Sequence, residues 1–523
     1  GARGSGVQMP GDSAAVATND ERLLRFLLPV SVFVSGAVVM VLEVLGTRLI
    51  APVYGTSLHV WSAIIAVTLL SLSVGYWVGG RFADRFPYAS AYFLVFEIAA
   101  LLIVLLPVVR EPVLILTKPL GLRGGALASA VLFLGLPLTL LGMISPHAVR
   151  LAAHLITDLG RTTGQLYALS TAGSLLGTLC TGFYLIPSFR LRTIFVGAAL
   201  VLILPAVVWQ LASARRHLAV ALLVALAAGL VAARPLRTAP GVKYVADSHF
   251  AELKVLDEGG ARTLLANNTI QTQVIAGGNV ALAAYIPVMA ELAWRAKPDG
   301  KRALLIGLGG GVLPPLFASW GVRMHSVEVD REVVDVARDW FAFDPHRYGV
   351  TVGDGRQLLA SAGDTWDYVV LDAFAGEAVP IHLLTEEMVA LIDQRLAKQG
   401  LVVLNYLGYR EGERARPLRS VVRTLETHFP HVTTFPSFPP GDYGNNIVLA
   451  SREPIRLRRG PRPFPVPPWM EEQIAIAEPI DTSGAAILLS DDYNPLDLWS
   501  VDASEAWRRA AMEMWPREVL FAE

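Results

Sequence analysis

The residues able to do chemistry concentrate in the second half of this 523-residue chain. Gly307-Leu308-Gly309-Gly310-Gly311 directly follows the apolar run Ala303-Leu304-Leu305-Ile306. Val327-Glu328-Val329-Asp330 brings two acids to the end of the next run. Gly353-Asp354-Gly355 comes after a third, and Asp372-Ala373-Phe374-Ala375-Gly376-Glu377 after a fourth. Glycines at the carboxyl end of a strand let backbone approach a ligand, and an acid on the next strand accepts from ribose hydroxyls. Gly307, Gly309, Gly310 and Gly355 would supply the approach, with Glu328 and its neighbour Asp330 at the ribose. Asp354 would meet the exocyclic amine of adenine, with a plain turn residue as the equal alternative. Asp372 would accept a proton from an amine or hold a cation by charge; its alternative is a helix N-cap. The sequence has no His/Cys metal cluster, no Gly-x-Ser-x-Gly elbow and no Walker loop, so no metal is expected.

These residues need a sheet to position them. Strands are expected near 303–308, 324–329, 349–353, 367–372 and 400–405, separated by helical stretches near 312–320, 331–341, 382–398 and 414–428. That alternation predicts a doubly wound parallel sheet over a Rossmann-like domain, 297–453. Segments 432–438 and 446–450 read as a closing antiparallel pair. Ahead of it, 242–296 alternates like strands around Gly259-Gly260, predicting a small β-domain with a linking helix over 279–296. Residues 454–523 form an extension, Pro/Arg-rich at first and then helical.

Composition is divided. The chain is 53% hydrophobic with mean hydropathy +0.47, yet its net charge is −1, which suggests no nucleic-acid partner. The apolar excess lies before Arg234, in segments 24–46, 59–80, 90–109, 126–146, 164–186, 193–212 and 216–233. A bilayer crossing needs ~20 residues, so about seven spans are predicted in a helical membrane domain over 24–234, behind a disordered 1–23. The lipid bilayer is then a partner. Arginines at both sets of loops leave orientation open, with Arg22, Arg25, Arg81, Arg85, Arg215 and Arg216 against Arg110, Arg123, Arg190 and Arg192. Met9 reads as the native start, and no cleavable signal is evident. The single Cys180 excludes an intrachain disulfide framework. Glu43, Glu97 and His147 sit inside or beside spans and are functional candidates by default. The plainer readings are an interhelical hydrogen bond and a Glu43–Arg48 pair. Gly173, Gly177 and Gly182 predict close helix packing.

At these residues the soluble half, over roughly 242–450, resembles the spermidine synthase family, the polyamine aminopropyltransferases. The whole chain looks like bacterial membrane proteins in which a spermidine synthase-like domain follows a multi-span segment. The first half matches them through Leu42-Glu43, Arg48, the Trp61 region and the loop at 79–85. The resemblance implies a class I methyltransferase-like fold that binds S-adenosylmethionine or its decarboxylated form as substrate. It implies Glu328 at the ribose, Asp354 at the adenine and Asp372 as the first acid of an Asp-x-x-Asp segment that handles the amine. Gln271 and Tyr285 fall where the family places polar residues around the substrate, and Glu377, Asp491 and Asp492 are weaker candidates on the acceptor side. It further implies a bacterial inner-membrane enzyme with a cytoplasmic soluble domain, where S-adenosylmethionine is made. A polyamine or other amine would be its small-molecule partner, and a homodimer fits the same resemblance.

Three departures stand out. The family's Gly-Gly-Gly-Asp-Gly loop reads Gly307-Leu308-Gly309-Gly310-Gly311-Val312, without its aspartate; the second acid of Asp-x-x-Asp is Ala375; and Tyr-His-Glu is Tyr285-Ile286-Pro287. Decarboxylated S-adenosylmethionine presents only an ammonium, whereas the intact form also carries a carboxylate that an aspartate would repel. Losing the acid is compatible with the intact form. The leading expectation is cleavage of an alkyl carbon–sulfonium bond with release of 5′-methylthioadenosine, by transfer to an amine or by intramolecular lyase chemistry. The alternatives are a methyltransferase, acting on a lipid or a membrane-delivered amine, and a polyamine transporter or sensor whose soluble domain binds ligand.

Overall fold

The computed structural model describes residues 19–153, 159–212, 219–361, 363–374, 379–437, 441–468 and 478–523. The first half is helical: α1 (Asn19–Tyr54), α2 (Leu58–Arg85), α3 (Ala89–Thr117), α4 (Gly121–Ala130), α5 (Leu136–Ala153), α6 (Leu159–Cys180), the short α7 (Ile186–Ser188), α8 (Leu191–Ala212) and α9 (Ala219–Ala233). Among the described residues, five stretches are long and apolar enough to cross a bilayer: Asp20–Tyr54, Leu58–Arg85, Ala89–Ala153, Gly160–Ser188 and Leu191–Ala212. They are fewer than the seven expected for two reasons. The segments at 90–109 and 126–146 fall in one 65-residue helical stretch, yet the chain reverses within it: Gly121 takes φ +73° and Thr117 Oγ1 lies 2.7 Å from Ser129 Oγ, so α4 and α5 fold back against α3. The last segment, expected over 216–233, begins outside the described residues, and its described part is the 15-residue α9, short of the ~20 residues a crossing needs.

Several intramembrane candidates take the plainer role. A Cβ on Gly173 would lie 2.0 Å from the Phe33 carbonyl oxygen, and one on Gly177 2.4 Å from that of Ala37, so these glycines let α6 lie against α1. Gly182 faces open space instead. Gln210 of α8 donates to the Glu97 carboxylate of α3, and His147 is buried against the rings of Phe82 and Tyr92. Residues 79–85, expected as a loop, complete α2, where Gly79 packs on Met143. Arg48 does not need Glu43, for it donates to the His249 carbonyl at 2.5 Å.

The second half begins with an antiparallel sheet in sequential order: β1 (Val242–Asp247), β2 (Glu252–Glu258), β3 (Ala261–Ala266) and β4 (Thr269–Ile275). Its strand alternation serves two cores. Leu253, Val255, Leu264 and Val274 join the core beside the larger sheet, while Leu256 and Leu265 join that of the helical half. The four strands are therefore an adaptor packed on both faces. Helix α10 (Tyr285–Ala296) starts later than expected because 280–282 prolong the pairing, with Ile275 N donating to Val280 O and Leu282 N to Gln273 O.

The larger sheet follows as β5 (Arg302–Ile306), α11 (Leu313–Ala318), β6 (Arg323–Glu328), α12 (Arg331–Trp340), α13 (Pro345–Tyr348), β7 (Val350–Val352), α14 (Gly355–Ser361), β8 (Trp366–Leu371), α15 (Glu386–Arg395), β9 (Leu396–Tyr409), α16 (Arg416–Leu425), β10 (His431–Pro436) and β11 (Tyr443–Ser451). Its order is β7-β6-β5-β8-β9-β11-β10, parallel through β9 with the last two strands antiparallel. Buried residues of β5 alternate between the two flanking cores, as a sheet covered on both faces requires. The order reverses between β5 and β8, and a crevice at their carboxyl ends is the expected binding place.

The C-terminal extension is less helical than expected. Residues 478–495 carry no helix, and α17 (Leu496–Trp499), α18 (Val501–Met514) and α19 (Arg517–Leu520) follow. This tail joins the two halves. The fully buried Lys254 ammonium donates to the carbonyls of Val519 and Leu520 and pairs with Glu252 at 2.9 Å. Glu252 also faces Arg110 of α3 at 3.4 Å. The buried Arg508 of α18 donates to the carbonyls of Ala51 and Asn267.

Candidate active site

A cavity of about 450 Å³ opens at the reversal of strand order. Its wall includes Gln271, Tyr285, Gly307, Gly309, Glu328, Asp330, Asp354, Gly355 and Asp372. Gly310, expected there, turns away: its amide donates to Thr272 Oγ1 at 2.8 Å, and a Cβ would meet the Thr272 methyl and the Phe341 ring. Glu377 lies outside the described residues. Asp491 is held bidentately by Arg356 and, like Asp492, does not line the cavity.

The loop after β5 takes its shape from close backbone approach. Gly307 has φ +93°, and a Cβ there would lie 2.3 Å from the Asp372 carbonyl oxygen. Only glycine accommodates that conformation and that neighbour. The loop therefore lies directly on the chain that leaves β8 with Asp372.

Each acid has a distinct set of partners. Glu328 accepts from the Leu308 amide at 2.9 Å and the Asp330 amide at 3.0 Å. Burial pushes its carboxyl up, against the pull of these amides. Asp330 caps α12 by accepting from Glu332 N at 3.0 Å. Asp354 Oδ1 accepts from Gln357 N at 2.8 Å, and Oδ2 lies 3.0 Å from His382 Nε2. Partial burial would raise Asp354, but the amide and the imidazole outweigh it and hold the carboxyl below its ordinary value.

Asp372 differs. Burial pushes its carboxyl up to about 6, and a hydrogen bond from Asn405 Nδ2 to Oδ1 at 2.8 Å works the other way. Asn445 Nδ2 in turn donates to Asn405 Oδ1 at 3.0 Å, so two asparagines on β9 and β11 hold the carboxylate in orientation. The Tyr285 phenol is raised well above its ordinary value by burial and then by the Asp372 charge. It stays a neutral hydroxyl beside a carboxylate that is mostly ionised at pH 7, able to accept a proton from a nearby amine.

His382, Asn405, Asn445, Thr56 and Phe250 escaped the sequence reading. Asn405 had a signal: it directly follows the apolar run Leu401-Val402-Val403-Leu404, one place past the last residue that pairs with β8. Thr56, from the α1–α2 connection, and Phe250, from the β1–β2 loop, had none.

Residues 282–441 match the spermine/spermidine synthase domain. The polyamine aminopropyltransferase of Vibrio vulnificus is 38% identical over 123 residues, which are 22% of this chain and 40% of that protein. The probable polyamine aminopropyl transferase of Bifidobacterium longum is 24% identical over 275 residues, 46% of this chain and 58% of that protein. The chain thus spans less than two thirds of the length of either relative. The crystal structure of a probable spermidine synthase from Corynebacterium glutamicum aligns with 40% of this chain and 80% of its own, at 22% identity and TM-score 0.36. With the domain match lying over the crevice, the chain is a spermidine synthase-like protein whose N-terminal helical region is consistent with a fused multi-span part.

Proposed function

We propose that the cavity holds an S-adenosyl sulfonium substrate and transfers its alkyl arm to an amine, releasing 5′-methylthioadenosine. The observation that carries this reading is the Asp372 carboxyl, set at the crevice mouth, oriented by Asn405 and raised to about 6. A base of that strength is mostly unprotonated at pH 7 and still accepts a proton. Glu328 and Asp354 would hold the ribose and the adenine edge, with the loop from Gly307 to Gly309 against the sugar and sulfonium. The sulfonium leaves without acid assistance, so the protein's work is to place the nitrogen in line and exclude water. The nitrogen lone pair forms the carbon–nitrogen bond as the carbon–sulfur pair returns to sulfur, and the ammonium proton passes to Asp372. The aminopropyl transfer for which the Vibrio vulnificus and Bifidobacterium longum relatives are named supports the same class of transfer.

The loop Gly307–Val312 contains no carboxylate, which favours a substrate that retains its own. Mass spectrometry of the purified protein with intact or decarboxylated S-adenosylmethionine, each with and without amines, tests both points. Methylthioadenosine is the expected product. S-adenosylhomocysteine in its place would mean methyl transfer and would overturn the reading.

A further inference from the structure

We propose that the acceptor is an amphiphilic monoamine, a primary amine carried on an acyl-chain anchor, reaching Asp372 from the bilayer surface between Thr56 and Phe250. This rests on the alkyl-transfer reading above and on the five apolar stretches lying in a bilayer. Thr56 belongs to the connection between α1 and α2, so the cavity borders the end of two candidate spans. Leu58, Trp61, Ile65 and Leu69 follow at helical spacing on one face of α2 and are 67%, 42%, 44% and 64% exposed. That apolar strip, with an indole near its end, suits an acyl chain lying along the helix up to the mouth. Phe250, 52% exposed, stands on the β1–β2 loop that Arg48 of α1 holds by the His249 carbonyl.

Charge points the same way. A free polyamine brings several ammoniums, and each one taken from water needs a carboxylate. Of the four acids lining the cavity among the described residues, three are committed. Glu328 accepts from two loop amides, Asp330 caps α12, and Asp354 holds the Gln357 amide and His382. Asp372 is held by Asn405 through Oδ1 alone, which leaves Oδ2 for one ammonium, with apolar Leu253, Leu264, Ile286 and Leu313 elsewhere on the wall. One carboxylate in an apolar cleft matches one amine on an apolar anchor. In the reaction the amine nitrogen bonds to the transferred carbon, the carbon–sulfur pair leaves with methylthioadenosine, and the proton goes to Asp372 and then to water.

The test uses the full chain in phosphatidylcholine vesicles, whose quaternary headgroup has no transferable amine. Phosphatidylethanolamine is added to one set and a free polyamine to another, with intact and decarboxylated S-adenosylmethionine in parallel. Phosphatidylethanolamine should raise methylthioadenosine release by about tenfold or more, and the lipid should gain the mass of the transferred group. Leu58→Lys, which puts a charge on the apolar strip outside the cavity, should raise the KM for the lipid several-fold more than that for S-adenosylmethionine. Release driven by free polyamine and not by phosphatidylethanolamine overturns the lipid acceptor while leaving alkyl transfer standing. Equal release without any amine overturns it in favour of lyase chemistry. No methylthioadenosine in any arm, with nucleoside binding intact by calorimetry, sinks alkyl transfer itself.

Discussion

Replacing Asp372 by asparagine should make the protein more stable and nearly inactive at the same time. The asparagine has the shape of the acid, and its carbonyl can still accept from Asn405. The buried charge is what disappears. The carboxyl rises from 3.8 to about 6 in the fold, chiefly by burial. The unfolded chain therefore loses this proton at lower pH than the native protein does, and the wild type is destabilised as pH climbs through that window. Above pH 6 the full penalty applies, and a shift of that size corresponds to about 3 kcal/mol. Because Asp372 lines a cavity and is only partly buried, about 1–3 kcal/mol is the range expected for Asp372→Asn at pH 8. The gain should shrink as pH falls below 6 and vanish near pH 4, where the acid is neutral in both states. Loss of a general base should lower methylthioadenosine release roughly 10²–10⁴-fold. Thermal unfolding followed by tryptophan fluorescence, at a series of pH values, reads the first effect, and product mass spectrometry the second. A variant that is less stable at pH 8, or that keeps more than a tenth of wild-type turnover, would refute the assignment of Asp372 as a buried ionised base.

In the wild type, kcat/KM should rise with pH through about 6, because the base must be unprotonated. Asn405→Ala removes the donor that stabilises the Asp372 carboxylate, so this limb should move to higher pH and the loss should be larger at pH 6 than at pH 8; an equal loss at both would mean a structural role alone. Gly307→Ala sets a Cβ against the Asp372 carbonyl at φ +93° and should cost about 1–3 kcal/mol in denaturant unfolding and weaken nucleoside binding by calorimetry. Lys254→Met removes the ammonium that ties the Val519 and Leu520 carbonyls to the buried Glu252 carboxylate and should cost about 3 kcal/mol, with the C-terminal tail becoming sensitive to limited proteolysis.

The parallel sheet and its order of chemistry were legible because local pattern carries them. Apolar runs buried on both faces, each ending in glycine or acid, need no distant partner to be recognised, and Glu328, Asp354 and Asp372 all reach one crevice. Helical content in the first half was equally plain from length and hydropathy. Boundaries between helices were not: the reversal at Gly121, which sets Thr117 Oγ1 2.7 Å from Ser129 Oγ, passes through a short 3₁₀ turn that composition does not mark. Gly310 misled for a related reason, since a glycine that lets a ligand approach and one that lets Thr272 and Phe341 approach look alike in sequence.

The sequence by itself determined which elements form and which chemical groups end them, since strand and helix periodicity and the position of an acid after a strand are local properties. Only the tertiary structure decided who stands beside whom. Asn405 and Asn445 reach Asp372 because β9 lies beside both β8 and β11. Thr56 borders the cavity because the adaptor sheet and the tail, through Lys254 and Arg508, bind the helical half to the half that carries the larger sheet. Such pairings join residues from 33 to 457 positions apart. They depend on burial and charge satisfied across the whole chain, which no window along the sequence contains.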